Sequence, residues 1–399
     1  MIKKFKNIET KFVNKDRKKI YFNSGAGTLV LKDTLEKFNF ELENNLYSSS
    51  DGGNIDLREN IGETRNLIRD IFNVKRHDII FQSNTTSSIN LVAYNLNKIL
   101  KKGDEIILTD TEHLSNFSPW IKFAKEYKIK VNIIETDKGL INIKNLKSKI
   151  SKKTKLISFN HLSNTFSLEN NISEIINLCK DLNIYSFVDA AQSFSKVEID
   201  FSKIDPDFLV ISAQKAFGID SFGVLLARKE IINNFEPLII GGKMNKGLDK
   251  MNNLIYANSP YKFEAGSKSV SNISSFSKSL EFISELDLEK VKLYLIELSN
   301  YCKDKLSNIS NIDIINNNVD SIGTVLIRDK NYSSQDLYYY LEQNNIFTTQ
   351  GFICSNNNNP NINNEKFLRI SFHIYNSKEQ IDKLYNVLNN GGNYLDENI

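Results

Sequence analysis

No stretch of the chain approaches the run of about 18 apolar residues that a membrane-crossing helix requires, and the start, MIKKFKNIETKF, has charge but no apolar centre of a secretory leader. A soluble, cytoplasmic protein with no membrane partner is expected. An excess of one charge is missing too: Lys+Arg number 51 and Asp+Glu 48, a net charge of +3, too balanced for a nucleic-acid footprint. A small-molecule partner is the expectation instead. The three cysteines, Cys179, Cys302 and Cys354, are odd in number and show no CxxC spacing, which excludes a disulfide framework and a zinc site, so no metal is expected. Cys179 and Cys302 lie in helix-like periodic segments and read as inert buried thiols. Gly25 and Gly27 invite a dinucleotide fingerprint, but its third glycine would fall on Val30 and no clean βαβ unit follows.

What remains is a chain of 399 residues, 40% of them hydrophobic, enough for a large core in two or three lobes. Residues up to about Lys19 are polar and read as an arm or edge, followed by a short strand and a glycine turn in KKIYFNSGAG. From Arg58 to Phe72 apolar residues share one helical face. Strands and helices then alternate: DIIFQS, SSINLVAYNLNKIL, DEIILTD, FSPWIKFAKEY, KVNIIET, IKNLKSKI, TKLISFNHL, ISEIINLCKDL and YSFVDAA. That order argues for right-handed crossovers and a mostly parallel sheet. Beyond Ser267 the pattern changes to long helical periodicity over Ser271 to Leu306, then GTVLIRD, SSQDLYYYLEQN, KFLRISFHIY and KEQIDKLYNVL. The expected organisation is an N-terminal arm with a contribution to the small domain (1–51), a large α/β domain (52–266) and a small α+β domain (267–399), with a cleft between the last two.

The stretch from Tyr185 to Arg228 organises the rest. Three short apolar runs bounded by polar turns suit strands covered on both faces. Asp189 ends the first run and Lys215 follows the second, where open α/β sheets place their ligands. A lone lysine is ordinarily a solvated surface residue. Lys215 directly follows FLVISAQ, however, where burial would make an unpaired ammonium costly. Joining that amine to an aldehyde removes much of the cost. A lysine that can form a Schiff base, with a carboxylate to keep a pyridine nitrogen protonated, is what a pyridoxal phosphate (PLP) site needs.

The motifs VDAAQ (Val188 to Gln192) and SAQKAFG (Ser212 to Gly218), at their separation, resemble the PLP segment of class V aminotransferases, above all cysteine desulfurases and selenocysteine lyases. FQSNTTSSINL (Phe81 to Leu91), TEHLSNFSPW (Thr111 to Trp120), HLSN (His161 to Asn164), FEAGS (Phe263 to Ser267) and RISFHIYNS (Arg369 to Ser377) follow the same family's order over most of the chain. The resemblance implies PLP fold type I, with a mostly parallel seven-stranded sheet in the large domain. It implies that Lys215 carries the cofactor and Asp189 faces the ring nitrogen. His113 would stack on the ring and shuttle protons, as a histidine with a pKa near 6.5 can. Gln192 would meet the phenolic oxygen. Thr85, Thr86, Ser212 and Gln214 would hold the phosphate, with Gln214 standing where the family usually has a histidine. Asn164 would lie on the substrate side, and His161 in the same motif reads as core packing. Arg369 would clamp a substrate carboxylate with its two parallel donors. Ser267 would cap the phosphate across the interface of a homodimer.

Cys354 decides between related chemistries. Its surroundings, TTQGFICSNNNNPNINNEKF, read as a loop, and desulfurases carry a persulfide-forming cysteine there. Thr349 stands where the family usually has an arginine, and Phe352 and Ile353 replace polar residues. The expected activity is conversion of L-cysteine to L-alanine, with sulfur carried as a persulfide on Cys354 to an acceptor protein, as in iron–sulfur cluster assembly. Two alternatives remain: another class V reaction (transamination, epimerisation or C–S lysis) that does not use Cys354, or a catalytically silent scaffold of the same fold.

Overall fold

The computed structural model describes residues 5, 7–14, 16, 18–44, 55–351 and 367–390. Its centre is a seven-stranded sheet in the order His77–Gln82, Gly223–Arg228, Phe208–Ser212, Tyr185–Asp189, Thr154–Asn160, Glu105–Thr109 and Lys130–Ile134. Gly223–Arg228 runs antiparallel to both neighbours, and the other pairings are parallel. The exception follows from chain length: the connection from Ser212 to Gly223 holds only a short turn, whereas parallel neighbours need a helical crossover. The three apolar runs of the organising stretch are these central strands.

Side chains alternate between two buried layers, as the period of a strand requires. Ile79, Phe81, Ile107, Ile157, Val188, Leu209 and Ile211 enter one core. Ile80, Ile106, Leu108, Phe187, Phe208 and Val210 enter the other, with Trp120 and the helices Thr85–Tyr94 and Ser118–Tyr127. Burial on both faces explains why the runs read as continuously apolar. The expected buried cysteines sit in this packing: Cys179 and Cys302 are both buried, and burial pushes the Cys179 thiol up to about 12 and that of Cys302 higher still.

A second, four-stranded antiparallel sheet has the order Ile312–Ile314, Thr324–Asp329, Leu368–Ser371, Thr349–Gln350. The helical pattern over Ser271 to Leu306 is two helices, Val270–Glu285 and Leu288–Leu306, divided where the Asp287 side chain caps the second by accepting from Lys290 N–H. Ile20–Tyr21 pairs in parallel with Ile346–Phe347, and the bridge from Asn23 to Ser371, with Gly25 N–H donating to Ser371 Oγ at 2.8 Å, brings the glycine turn beside the second sheet.

Three features depart from the sequence reading. The N-terminal segment is not a purely polar arm, because Phe12 is buried against the rings of Phe217, Phe282 and Tyr375. Thr349–Gln350, read as the start of a loop, is a strand paired with Leu368–Ser371. A helix, Lys32–Asn44, and a hairpin, Asn245–Leu248 with Leu254–Tyr256, had no periodic signal strong enough to announce them. Among the described residues no helix is long and apolar enough to cross a membrane, and no cluster of His, Cys, Asp and Glu could hold a metal ion.

Candidate active site

A cavity of about 340 Å³ opens at the carboxyl ends of the central strands, lined by residues from both sheets and from the Gly25 turn. Ten of the residues singled out by sequence line it: Thr85, Thr86, His113, Asn164, Asp189, Gln192, Ser212, Gln214, Lys215 and Arg369. Ser267 does not line it. It is exposed, in a segment anchored by Glu264, which accepts from Arg65 and from Phe81 N–H. Cys354 lies outside the described residues. His161 is buried beside the site, its backbone N–H donating to Asp189 O at 2.9 Å.

The floor is made by strand ends. Asp189 terminates Tyr185–Asp189, and its Oδ1 accepts from Ala191 N–H at 2.9 Å. Burial pushes its carboxyl up, opposed by that hydrogen bond and by the Lys215 charge. A buried carboxylate so placed suits a cationic partner in the cavity. Lys215 closes a one-turn 3-10 helix, Ala213–Lys215, at the end of Phe208–Ser212.

Beside this floor lies the start of the helix Thr85–Tyr94, with Thr85 Oγ1 donating to Ile211 O at 3.4 Å. Asn84 caps it by accepting from Ser87 N–H at 2.8 Å, and Thr86 Oγ1 lies 2.7 Å from Ser115 Oγ. A helix start with hydroxyls beside it is a ready anion cradle. The turn can sit this low only because residue 223 is glycine: a Cβ there would come within 2.6 Å of the Asn84 backbone.

His113 follows the strand Glu105–Thr109, and its Nδ1 accepts from Ser115 N–H at 3.1 Å. Burial, with the Lys215 and Arg369 charges, lowers its pKa to about 3. At neutral pH the ring is uncharged. Beneath it, the wholly buried Glu112 accepts from Thr109, Asn116, Asn160 N–H and the Asn160 amide. Burial pushes Glu112 up to about 8, helped by the nearby Asp189 charge.

The remaining wall joins distant segments. Arg369, 2% exposed, donates from Nη1 to Asn164 O at 2.7 Å, so Asn164 holds the guanidinium through its backbone. A Cβ on Gly25 would fall 2.8 Å from Arg369 Cζ. Gln192 donates to Gly25 O at 2.7 Å, and Gln214 to Ala26 O at 3.3 Å. Thr349 hydrogen-bonds Asn23 Oδ1 and lines the cavity. Sequence reasoning gave the Gly25 turn little weight and passed over Glu112. The glycine itself was the available signal for the first, and a carboxylate next to His113 for the second.

The model of the class V aminotransferase family matches residues 20–384. The chain belongs to that family. It is 32% identical to a probable cysteine desulfurase of Mycoplasma genitalium over 84% of this chain and 82% of the relative. It is 31% identical to one of Borreliella burgdorferi over 95% and 93%. Among solved structures it superposes on an apo cysteine desulfurase of Thermococcus onnurineus with a TM-score of 0.87, 26% identity and coverage of 93% and 94%. A cysteine desulfurase of Escherichia coli shares the fold, with a TM-score of 0.88, 23% identity and coverage of 97% and 98%.

The donor set fits PLP. A lysine amine, a carboxylate at the strand end, an aromatic face and a hydroxyl-rich helix start surround one cavity, and the cradle at Asn84 survives only because Gly223 lacks a Cβ.

Proposed function

We propose that the protein is a PLP-dependent cysteine desulfurase that converts L-cysteine to L-alanine. The observation that carries this reading is the convergence of Lys215, Asp189, His113 and Arg369 on a single cavity from segments far apart in sequence. When bound, PLP supplies an electron-withdrawing ring that stabilises negative charge at the substrate Cα. Lys215 holds the cofactor and moves a proton at that carbon. Asp189 keeps the ring nitrogen protonated, a role its burial suits. The uncharged imidazole of His113 covers one face. Thr85, Thr86, Ser212 and Gln214 bind the phosphate, and Gln192 faces the phenolic oxygen. Arg369 receives the substrate carboxylate beside Asn164, with Gly25 leaving room for its guanidinium.

Cys354 is the acceptor of sulfur. Its thiolate attacks the substrate sulfur, the carbon–sulfur bond breaks, a persulfide forms on Cys354, and alanine leaves once the carbon has been protonated. A second protein then takes the sulfur, in a role such as iron–sulfur cluster assembly in the cytoplasm. Two chains form a homodimer in which Ser267 of each caps the phosphate bound to the other. Support for the dimer comes from the exposed apolar side chains of Ile239 and Ile240, just before Gly242, whose carbonyl accepts from Gly266 N–H at 3.0 Å beside Ser267.

The test is incubation with L-cysteine, with alanine and sulfide assayed for the protein and for Cys354→Ser. Alanine formation that requires Cys354 supports the reading. Unchanged turnover in the variant excludes the persulfide step, and a protein that gains no visible colour from PLP excludes the whole.

A further inference from the structure

Three buried polar residues that do not line the cavity stand behind Lys215: Ser195, Lys196 and His373. Their hydrogen bonds fix where each proton lies. The Ile374 backbone N–H points at His373 Nδ1 at 2.9 Å, so Nδ1 is the acceptor and a neutral ring carries its proton on Nε2. Nε2 lies 3.1 Å from Ser195 Oγ. The Ser195 hydroxyl has one proton and gives it to Lys215 O at 2.8 Å, so it must accept from His373. The order is therefore Ile374 N–H to His373, His373 Nε2–H to Ser195, and Ser195 O–H to the Lys215 carbonyl. A doubly protonated His373 could not accept from Ile374. Complete burial and the adjacent Lys196 charge hold the ring well below its ordinary pKa, in the neutral form the relay needs.

The turn this relay grips is strained. Two residues after Lys215, Phe217 has φ of 63°, a left-handed conformation that a bulky residue rarely adopts. It is held from the N-terminal side, with Phe217 N–H donating to Thr28 Oγ1 at 2.8 Å and Leu31 N–H to Phe217 O at 3.0 Å. His373 closes the other side with its ring 4.6 Å from that of Phe217.

We propose that Ser195 and His373 are positioning residues for Lys215. They fix the peptide plane from which the lysine side chain is aimed, so that the amine can move during turnover while its backbone stays still. The proposal rests on the PLP reading above, because a fixed backbone at Lys215 matters only if its amine does chemistry.

The experiment uses the PLP-loaded protein with L-cysteine and rates normalised to bound PLP. Ser195→Ala and His373→Leu each lower kcat about tenfold, the effect expected for one lost hydrogen bond, with KM unchanged because Arg369 is untouched. Ser195→Thr keeps the hydroxyl and His373→Gln keeps a donor near Nε2, and each recovers most of kcat. The rate at which borohydride-reducible PLP forms on Lys215 of the stripped protein falls in parallel with kcat. Wild-type kcat per PLP in both Ser195→Ala and His373→Leu overturns the proposal. So does a lower melting temperature with unchanged trapping kinetics, which would mark the pair as packing alone. If wild-type Lys215 is not trapped at all, the PLP reading has failed. If it is trapped and the variants match it, only the clamp has failed.

Discussion

The two sides of the cavity are built by different means. The floor, from Asp189 through Ser212 to Lys215, consists of the ends of adjacent strands paired Phe187 to Phe208 and Asp189 to Val210. Its geometry follows from the register of one sheet. The Arg369 wall is only partly templated: Arg369 and Thr349 are register partners in the second sheet, whereas Gly25 and Asn164 come from distant parts of the chain and reach Arg369 through individual contacts, Gly25 against Arg369 Cζ and Asn164 O against Arg369 Nη1. In the proposed reading, chemistry at the cofactor falls to the ends of one sheet, and recognition of the substrate carboxylate to a junction between the second sheet and the distant Gly25 and Asn164 segments. Damage to the floor should abolish turnover, whereas damage to the wall should weaken substrate binding.

The sharpest way to break that contrast is at the floor. Lys215→Ala removes the amine proposed to move the proton, and alanine formation from L-cysteine should fall by about 10²- to 10⁴-fold; substantial residual turnover would contradict the assignment. On the wall, Arg369→Lys keeps the charge and loses the planar fork. Steady-state kinetics should show KM for L-cysteine raised about 10- to 100-fold, with a smaller change in kcat. Gly25→Ala probes the same wall from its other side. Its φ is not left-handed, so the new methyl group acts through its clash with the guanidinium, and KM should rise about tenfold while the melting temperature changes little; a loss confined to kcat would move Gly25 to the catalytic side.

The smallest effect is on stability. The folded pKa of His113, about 3, lies below the ordinary value of 6.5. Between these values the unfolded chain binds the proton and the folded one does not, so this contribution is present above about pH 6.5 and is lost as pH falls toward 3. The stability of the protein relative to His113→Gln, from urea unfolding, should therefore shrink between pH 7 and pH 5 by no more than about 1.4 kcal/mol per pH unit. A relative stability that grows over that interval would reverse the sign.

The same contrast explains what could be read from sequence. VDAAQ and SAQKAFG are local, and each strand end lies where its apolar run stops, so the floor was legible residue by residue. So was the alternation that builds the sheet, because strands buried on both faces leave continuous apolar runs. Arg369 could be singled out by its motif, but the glycine that makes room for it lies more than three hundred positions away, and no local pattern records a long-range approach. The lowered pKa of His113 was hidden for the same reason, since burial and two cations from other segments produce it. Asparagine, abundant throughout, gave turns and caps the same appearance. Asn84 and Asn171 cap helices, while Asn160 and Asn164 serve the site.

The central claim is a covalent link between the Lys215 amine and the cofactor aldehyde, and it can be tested without assuming a substrate. The purified protein, loaded with PLP, is reduced with borohydride, digested, and the peptide containing Lys215 is weighed by mass spectrometry. The expected result is that this peptide alone gains the mass of a reduced pyridoxyl phosphate group. An unmodified Lys215 peptide, or the label on another lysine, would contradict the account.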